Sequence, residues 1–224
     1  MSWLDRVELE RNAVSPELLR VAMPRCAEPV EWADQLSDAL AWGGVTDPDE
    51  IALFLAHAGH ESSDLNRLEE NLNYSVQALL KVFGRHRITG AQARRYGRSR
   101  QHPADQKAIA NTIYGGEWGR INLGNTEPGD GWRHRGMGPI QLTGKANQMA
   151  CQEATGLDIM AGPERLATNA RYGARSAAWY WITRVTPGGD IRSTTIEVNG
   201  GAHGLADRKR RHDRIIHFMN SAEA

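Results

Sequence analysis

A chain of 224 residues, 40% of them hydrophobic, can bury a sizeable core, and its length suits one large domain or two lobes. Twenty-seven Lys/Arg balance twenty-seven Asp/Glu, which removes the electrostatic ground for general nucleic-acid binding. Cys26 and Cys151 stand far apart without C-x-x-C spacing, so neither a disulfide scaffold nor a zinc or redox motif is expected, and both read as small apolar residues of a chain folded under reducing conditions.

The start, MSWLDRVELERNAVSPELL, has no basic segment followed by an apolar run, and no stretch of eighteen apolar residues occurs anywhere. The product is therefore expected to be made in the cytoplasm without a signal and without membrane insertion, so that an external substrate would be reached only after release. Residues 1–50 hold eleven Asp/Glu against four Lys/Arg, leaving twenty-three Lys/Arg against sixteen Asp/Glu on the remainder. Two segments concentrate the positive charge, RHRITGAQARRYGRSRQH (85–102) and DRKRRHDR (207–214). They read either as solvated helix faces or as attraction to a polyanion such as a bacterial envelope.

Helix signals dominate, which predicts a mainly α chain. SPELLRVAM offers Ser15 as N-cap with Pro16 at the first helical position. EPVEWADQLSDALAWGG places Trp32, Leu36, Ala39 and Leu40 on one stripe and stops at Gly43. In TDPDEIALFLAHAGHE, Asp47 can cap, Pro48 fits the first turn and Glu50 completes a capping box, while Ile51, Phe54, Leu55 and Ala58 form an apolar face. That helix is expected to end near Glu61.

After it, SSDLN is turn chemistry and RLEENLNY alternates as a short strand. Alternation puts Glu70 with Leu68, Leu72 and Tyr74, and Glu69 with Asn71 and Asn73. Ser75 then caps VQALLKVF. From 111 to 145 the chain is glycine-rich with Trp118 and Trp132, too long and too aromatic for a linker; its glycines let backbone approach a ligand closely and its tryptophans offer flat apolar faces. Helical patterning returns at ARYGARSAAWYWI and in a final basic helix.

Several chemistries find no support. His57, His60 and Glu61 suggest H-E-x-x-H, but the fifth position is Asp64, so no metal site is expected, nor any other cofactor. There is no G-x-S-x-G elbow, no phosphate loop and no cysteine in a catalytic setting. Carboxylates remain. Glycoside hydrolysis needs one acid that delivers a proton to the leaving oxygen and a second, ionised, that acts on water. Glu61 at a helix C-terminus faces the negative end of the dipole, which disfavours its ionised form and suits a general acid. Glu70, in an Asn-rich segment, is expected to stay ionised as base. Ordinary solvated glutamates are the plain alternative. Nine extended residues reach about 30 Å, whereas an inverting pair sits roughly 6.5–9.5 Å apart, so the chain must double back at SSDLN.

HES (60–62) with ENLNY (70–74) resembles the signature of family 19 glycoside hydrolases, the plant-type chitinases and their phage endolysin relatives. Gly124 and Asn125, PGDGWR (128–133) and RGMGPIQLTG (135–144) form a second matching block, and NGG (199–201) with GLADR (204–208) a third. The nine-residue spacing of the acids, PGDGW and GLADR are closer to the endolysin branch. The resemblance implies a lysozyme-like fold of two helical lobes with a small β-hairpin and a central substrate cleft. It also implies an inverting mechanism with Glu61 as general acid, Glu70 as general base and Thr143 holding the attacking water. Gln141, Asn147, Asn199, Tyr74 and Trp132 fall on substrate-binding positions, although Trp132 serves a core equally well. Arg208 is placed in an ion-pair network around the base, with Arg211 and Arg214 as rival registers. His134, Met137, Gln148 and His203 depart from the family pattern, which leaves subsite preference open.

The expected organisation is a single catalytic domain over 1–224, with its core at about 26–218, an N-terminal helical extension at 1–25 and no separate wall-binding domain. The implied function is an endolysin that cleaves the glycan chain of peptidoglycan, acting as a monomer in the wall after release through a separate holin. A chitinase, a glycan-binding protein without catalysis and a metal-dependent peptidase are the alternatives.

Overall fold

A computed structural model describes residues 13–222. The part of the expected N-terminal extension before residue 13 lies outside the described residues. The helices are, in chain order, α1 (Pro16–Ala22), α2 (Pro29–Trp42), α3 (Pro48–Glu61), α4 (Val76–Val82), α5 (Gly90–Tyr96), α6 (Gln106–Ile113) and α7 (Gly116–Leu123). They continue as α8 (Asp130–Arg133), α9 (Lys145–Thr155), α10 (Arg165–Thr168), α11 (Ala170–Arg184), α12 (Ile191–Asn199) and α13 (Leu205–Ala222). None of them is long and apolar enough to cross a membrane. The described residues divide into two compact units, one of residues 13–68, Gly138–Gln141 and 165–222, the other of Glu69–Met137 and Leu142–Glu164.

In the first unit, α2 packs on α11, and α13 packs on α1 and α3. The helix starts follow local chemistry: Ser15 accepts from Leu18 N at 3.0 Å, and Asp47 from Glu50 N at 3.0 Å. The expected capping box at Asp47 is only half made, because the Glu50 carboxylate instead accepts from Trp181 Nε1 at 3.1 Å. A buried indole N–H needs an acceptor, and that demand outweighs the local reciprocal bond. Trp181 meets Phe54 edge-on, with centroids 5.6 Å apart, amid Leu19, Leu36, Leu40, Leu55 and Ile215. Each such buried side chain stabilises the unit by about 1.5–3 kcal/mol.

The second unit has a smaller core of Leu72, Leu79, Phe83, Ile88, Ile109 and Ile113. The short strand expected in RLEENLNY, and with it the β-hairpin, does not form among the described residues. Only isolated antiparallel bridges link Glu69 to Met137 and Met137 to Leu142. The asparagines account for this, since Asn71 Oδ1 accepts from Asn73 N at 2.9 Å and Tyr74 N donates to Leu72 O at 2.8 Å. Such local bonds take the groups a ladder would use. The alternation nevertheless persists in burial, with Leu72 inside and Asn71 and Asn73 exposed. The glycine-rich stretch contains α7 and α8. Cys151 is buried, its thiol pushed up to about 12 by that burial, and both cysteines are free.

Candidate active site

Glu61 closes α3, and the turn after it is held firmly. Ser63, Asp64 and Leu65 all have positive φ (52°, 64° and 63°), a run that costs roughly 1–3 kcal/mol per residue and persists only where its surroundings impose it. Here they do. Ser62 Oγ donates to Ala58 O at 2.6 Å and accepts from Leu65 N at 2.8 Å, while Asp64 N donates to Gly59 O at 2.8 Å. The buried Asp64 carboxylate receives Arg25 Nε at 2.9 Å and the Arg211 guanidinium. Burial would raise its pKa, but the two arginines outweigh that and hold it below the usual carboxylate range. The residue that breaks the zinc motif therefore anchors the turn.

Arg208, 1% exposed, donates Nη2 to Glu61 Oε1 and Nη1 to His57 Nδ1, the latter at 2.9 Å. An arginine only donates, so His57 Nδ1 must accept and its proton sits on Nε2. That N–H points to Thr194 Oγ1 at 2.9 Å, and the Thr194 hydroxyl donates onward to Asp190 O at 2.8 Å. Burial, then the Arg208 charge, lower the His57 pKa to about 3, so the imidazole is neutral. It orients the guanidinium without neutralising it. Arg208 Nε has no acceptor among the described residues, so the buried charge depends on these two partners. Next to this group, His60 pairs with Asp207 at 2.8 Å. Gly204, at φ 74°, lies so close that a Cβ there would sit 2.4 Å from His60 Nε2.

Arg208 thus belongs with Glu61, the expected acid, rather than around the base as expected. The registers also separate: Arg211 bonds Asp64 and Asp207, and Arg214 bonds the carbonyls of Val21 and Ala22. On a helix, positions three and four apart share a face but reach different depths.

In the second unit Glu70 is held at both oxygens. Gly136 N donates to Oε1 at 2.6 Å and the Tyr114 hydroxyl to Oε2 at 2.7 Å, while Glu70 N donates to Gly136 O at 3.0 Å. Burial raises its pKa above the ordinary value, partly offset by Tyr114, Gly136 and the charges of Arg135 and Arg87. This corrects the expected wet, Asn-rich surroundings, since the asparagines face outward and the carboxylate faces in. Burial and the Glu70 charge push the Tyr114 hydroxyl up, which keeps it a donor. Arg87 stacks on Trp118, 3.7 Å from the ring centroid, and donates to Ile113 O at 2.9 Å. Glu69 instead faces outward to Arg135 at 2.7 Å. Tyr114 and Arg87 lie in no motif and Gly136 lies in the RGMGPIQLTG block without an assigned role, so sequence reading missed what all three do.

Thr143 lies in the segment tied to that of Glu70 through the bridges at Met137. Its neighbours are fixed by Leu142 N donating to Met137 O and Gly144 N to His134 O, both at 2.8 Å. Its carbonyl accepts from Asn147 Nδ2 at 2.7 Å. The departures His134 and Gln148 prove to be partners: His134 Nδ1 and Gln148 Oε1 are 2.7 Å apart, and Gln148 Nε2 donates to Leu142 O at 3.1 Å. Both are buried and brace the Thr143 segment from behind.

Comparison with known proteins supplies the kinship. A family model described as "Chitinase class I" matches residues 119–208. A glycosyl hydrolase family 19 domain-containing protein of Haemophilus influenzae is 34% identical over 174 residues, covering 77% of this chain and 82% of that protein. The chain belongs to glycoside hydrolase family 19. Chitinase 8 of Oryza sativa is 36% identical over 72 residues, 30% of this chain and 26% of the rice protein. The crystal structure of chitinase C from Streptomyces griseus shares the fold at a TM-score of 0.57 and 18% identity, covering 93% of each chain. The protein is accordingly a mainly helical, chitinase-like glycoside hydrolase.

The other family positions have distinct local roles. Gln141 sits at φ 51°, its Nε2 donating to Gly138 O at 3.1 Å, and Asn199 Nδ2 donates to His203 O at 3.1 Å at the end of α12. Tyr74 meets Phe83 edge-on at 5.4 Å and feels the Glu70 charge. Trp132 packs on the smaller core and carries Arg135 at 4.1 Å from its centroid, so the core role expected of it is real.

Proposed function

We propose that this family 19 enzyme hydrolyses β-1,4-glycosidic bonds of peptidoglycan by inversion, as an endolysin that acts on the cell wall after release from the cytoplasm. The observation that carries the chemistry is the unlike construction of the two carboxylates. Glu61, as general acid, becomes anionic when it gives up its proton, and Arg208 waits beside it to stabilise that charge. Glu70, as general base, sits with a raised pKa, nearer the pH at which proton transfer is efficient. Both its oxygens are held by donors that fix its direction. Thr143 is assigned the attacking water, which a hydroxyl can both donate to and accept from. Gln141, Asn147, Asn199 and Tyr74 are assigned to the sugar chain.

The nine-residue spacing of the acids and the PGDGW and GLADR blocks support the endolysin reading. A chitinase is the second reading, supported by the chitinases among the matched proteins. Mass spectrometry of peptidoglycan digests tests both. New reducing-end sugars are expected, whereas intact glycan strands alongside rapid cleavage of chitin oligomers would reverse the order.

A further inference from the structure

Between residues 71 and 116 there are eight Lys/Arg and a single acid, Asp105. That one acid is committed, because its side chain caps α6 by accepting from Ala108 N at 3.0 Å. Of the eight cations only Arg87 is turned inward, and Lys81, Arg85, Arg94, Arg95, Arg98, Arg100 and Lys107 are exposed. Two of them line a groove of about 500 Å³, formed by Arg98, Ser99, Arg100 and Gln101 on one side and Val76 and Gln77 on the other. The groove is built from the backbone. Arg98 N donates to Tyr74 O at 2.8 Å, Val76 N approaches Arg98 O at 3.4 Å, and Ser99 Oγ accepts from Gln101 N and His102 N. Gly97 is the residue that permits this pairing, since a Cβ there would meet Val76 N at 2.8 Å.

Neither Arg98 nor Arg100 forms an ion pair among the described residues. Two guanidiniums, two carboxamides and a hydroxyl without an acid suit carboxylates, which arginine binds in a fork. The groove also continues the segment that carries Glu70. From Glu70 to Val76 is six residues, at most about 20 Å even when fully extended.

We propose that this groove is a second, non-catalytic binding site for the peptide-stem carboxylates of peptidoglycan, which holds the polymer while its glycan is cleaved. The proposal rests on the peptidoglycan reading above and names what separates that substrate from chitin, whose chain is neutral. A neutral polymer gains nothing from the groove, whereas a carboxylate-bearing one gains an attraction that salt screens.

The test is cosedimentation of the full chain with purified sacculi, in an inactive Glu61→Gln background so that binding is read apart from cleavage. An Arg98→Glu/Arg100→Glu double variant is expected to bind about 10-fold more weakly at low salt and to lose the salt dependence of its parent. Converting the sacculus carboxylates to amides with a carbodiimide and an amine should bring the parent down to the level of the variant. With Glu61 restored, both forms should cleave a neutral chitin oligomer within about twofold of each other. Equal binding by parent and variant would overturn the proposal, as would binding indifferent to amidation but lost when phosphate-bearing polymers are stripped. If charge reversal impairs folding, as read by thermal unfolding, Arg98→Gln/Arg100→Gln gives the same comparison. An enzyme that cleaves chitin alone would sink the peptidoglycan reading, and the cosedimentation would still judge the groove.

Discussion

Glu61 and Glu70 lie nine positions apart, yet the two regions that hold them work by opposite means. Around Glu61 the controlling group is a buried cation, Arg208, oriented by a neutral imidazole. Around Glu70 the direct partners are neutral donors, a phenol and a peptide N–H, in a setting where burial is the largest influence. A cation beside a carboxylate stabilises the anion left after a proton is given up, whereas neutral donors fix the direction of a carboxylate whose raised pKa comes from burial.

The largest test of that contrast removes each charge in turn. Glu61→Gln and Glu70→Gln should each lower the rate on peptidoglycan by about 10²–10⁴-fold with the fold intact by circular dichroism. The two should differ in stability against pH. With its folded pKa raised above 4.5, Glu70 takes up protons more readily in the folded chain, so the native protein loses stability as pH rises through that window. Glu70→Gln should flatten that part of the melting-temperature curve. An unchanged curve would mean the carboxylate is solvated.

A smaller effect is expected from His57→Leu, which leaves a buried guanidinium without its acceptor and should cost about 1–3 kcal/mol together with activity. His57→Asn, whose Oδ1 can accept in place of Nδ1, should restore most of both. The His57 pKa falls from 6.5 to about 3 on folding, so its contribution is fully present above 6.5 and is lost as pH falls towards 3. His57→Asn should melt with a shallower pH dependence in that range.

Tyr114→Phe removes the hydroxyl that favours ionised Glu70. The acidic limb of the pH–rate profile should move up by about one unit, the equivalent of a bond worth roughly 1.5 kcal/mol. A profile that stayed in place would detach Tyr114 from the chemistry. The smallest effect should come from Glu69→Gln, which breaks a half-exposed pair with Arg135 and should change stability by less than about 1 kcal/mol. A large loss of activity there would exchange the roles of the two adjacent acids.

The sequence by itself determined the helix starts, because caps such as Ser15, Asp47 and Ser75 act on an N–H three residues away. It also determined the inward side of Glu70 and the outward side of Glu69, because alternation is a property of the extended chain even where no sheet forms. It proposed the two acids by resemblance. Only the tertiary structure decided their surroundings. Tyr114 is 44 residues from Glu70, Gly136 is 66 away, and Arg208 reaches Glu61 across 147. The same distance effect diverted Glu50 from its capping box to Trp181 and paired His134 with Gln148. Caps and alternation are settled within a turn or two of chain, whereas burial and the partner of a charge depend on which distant segments pack against it.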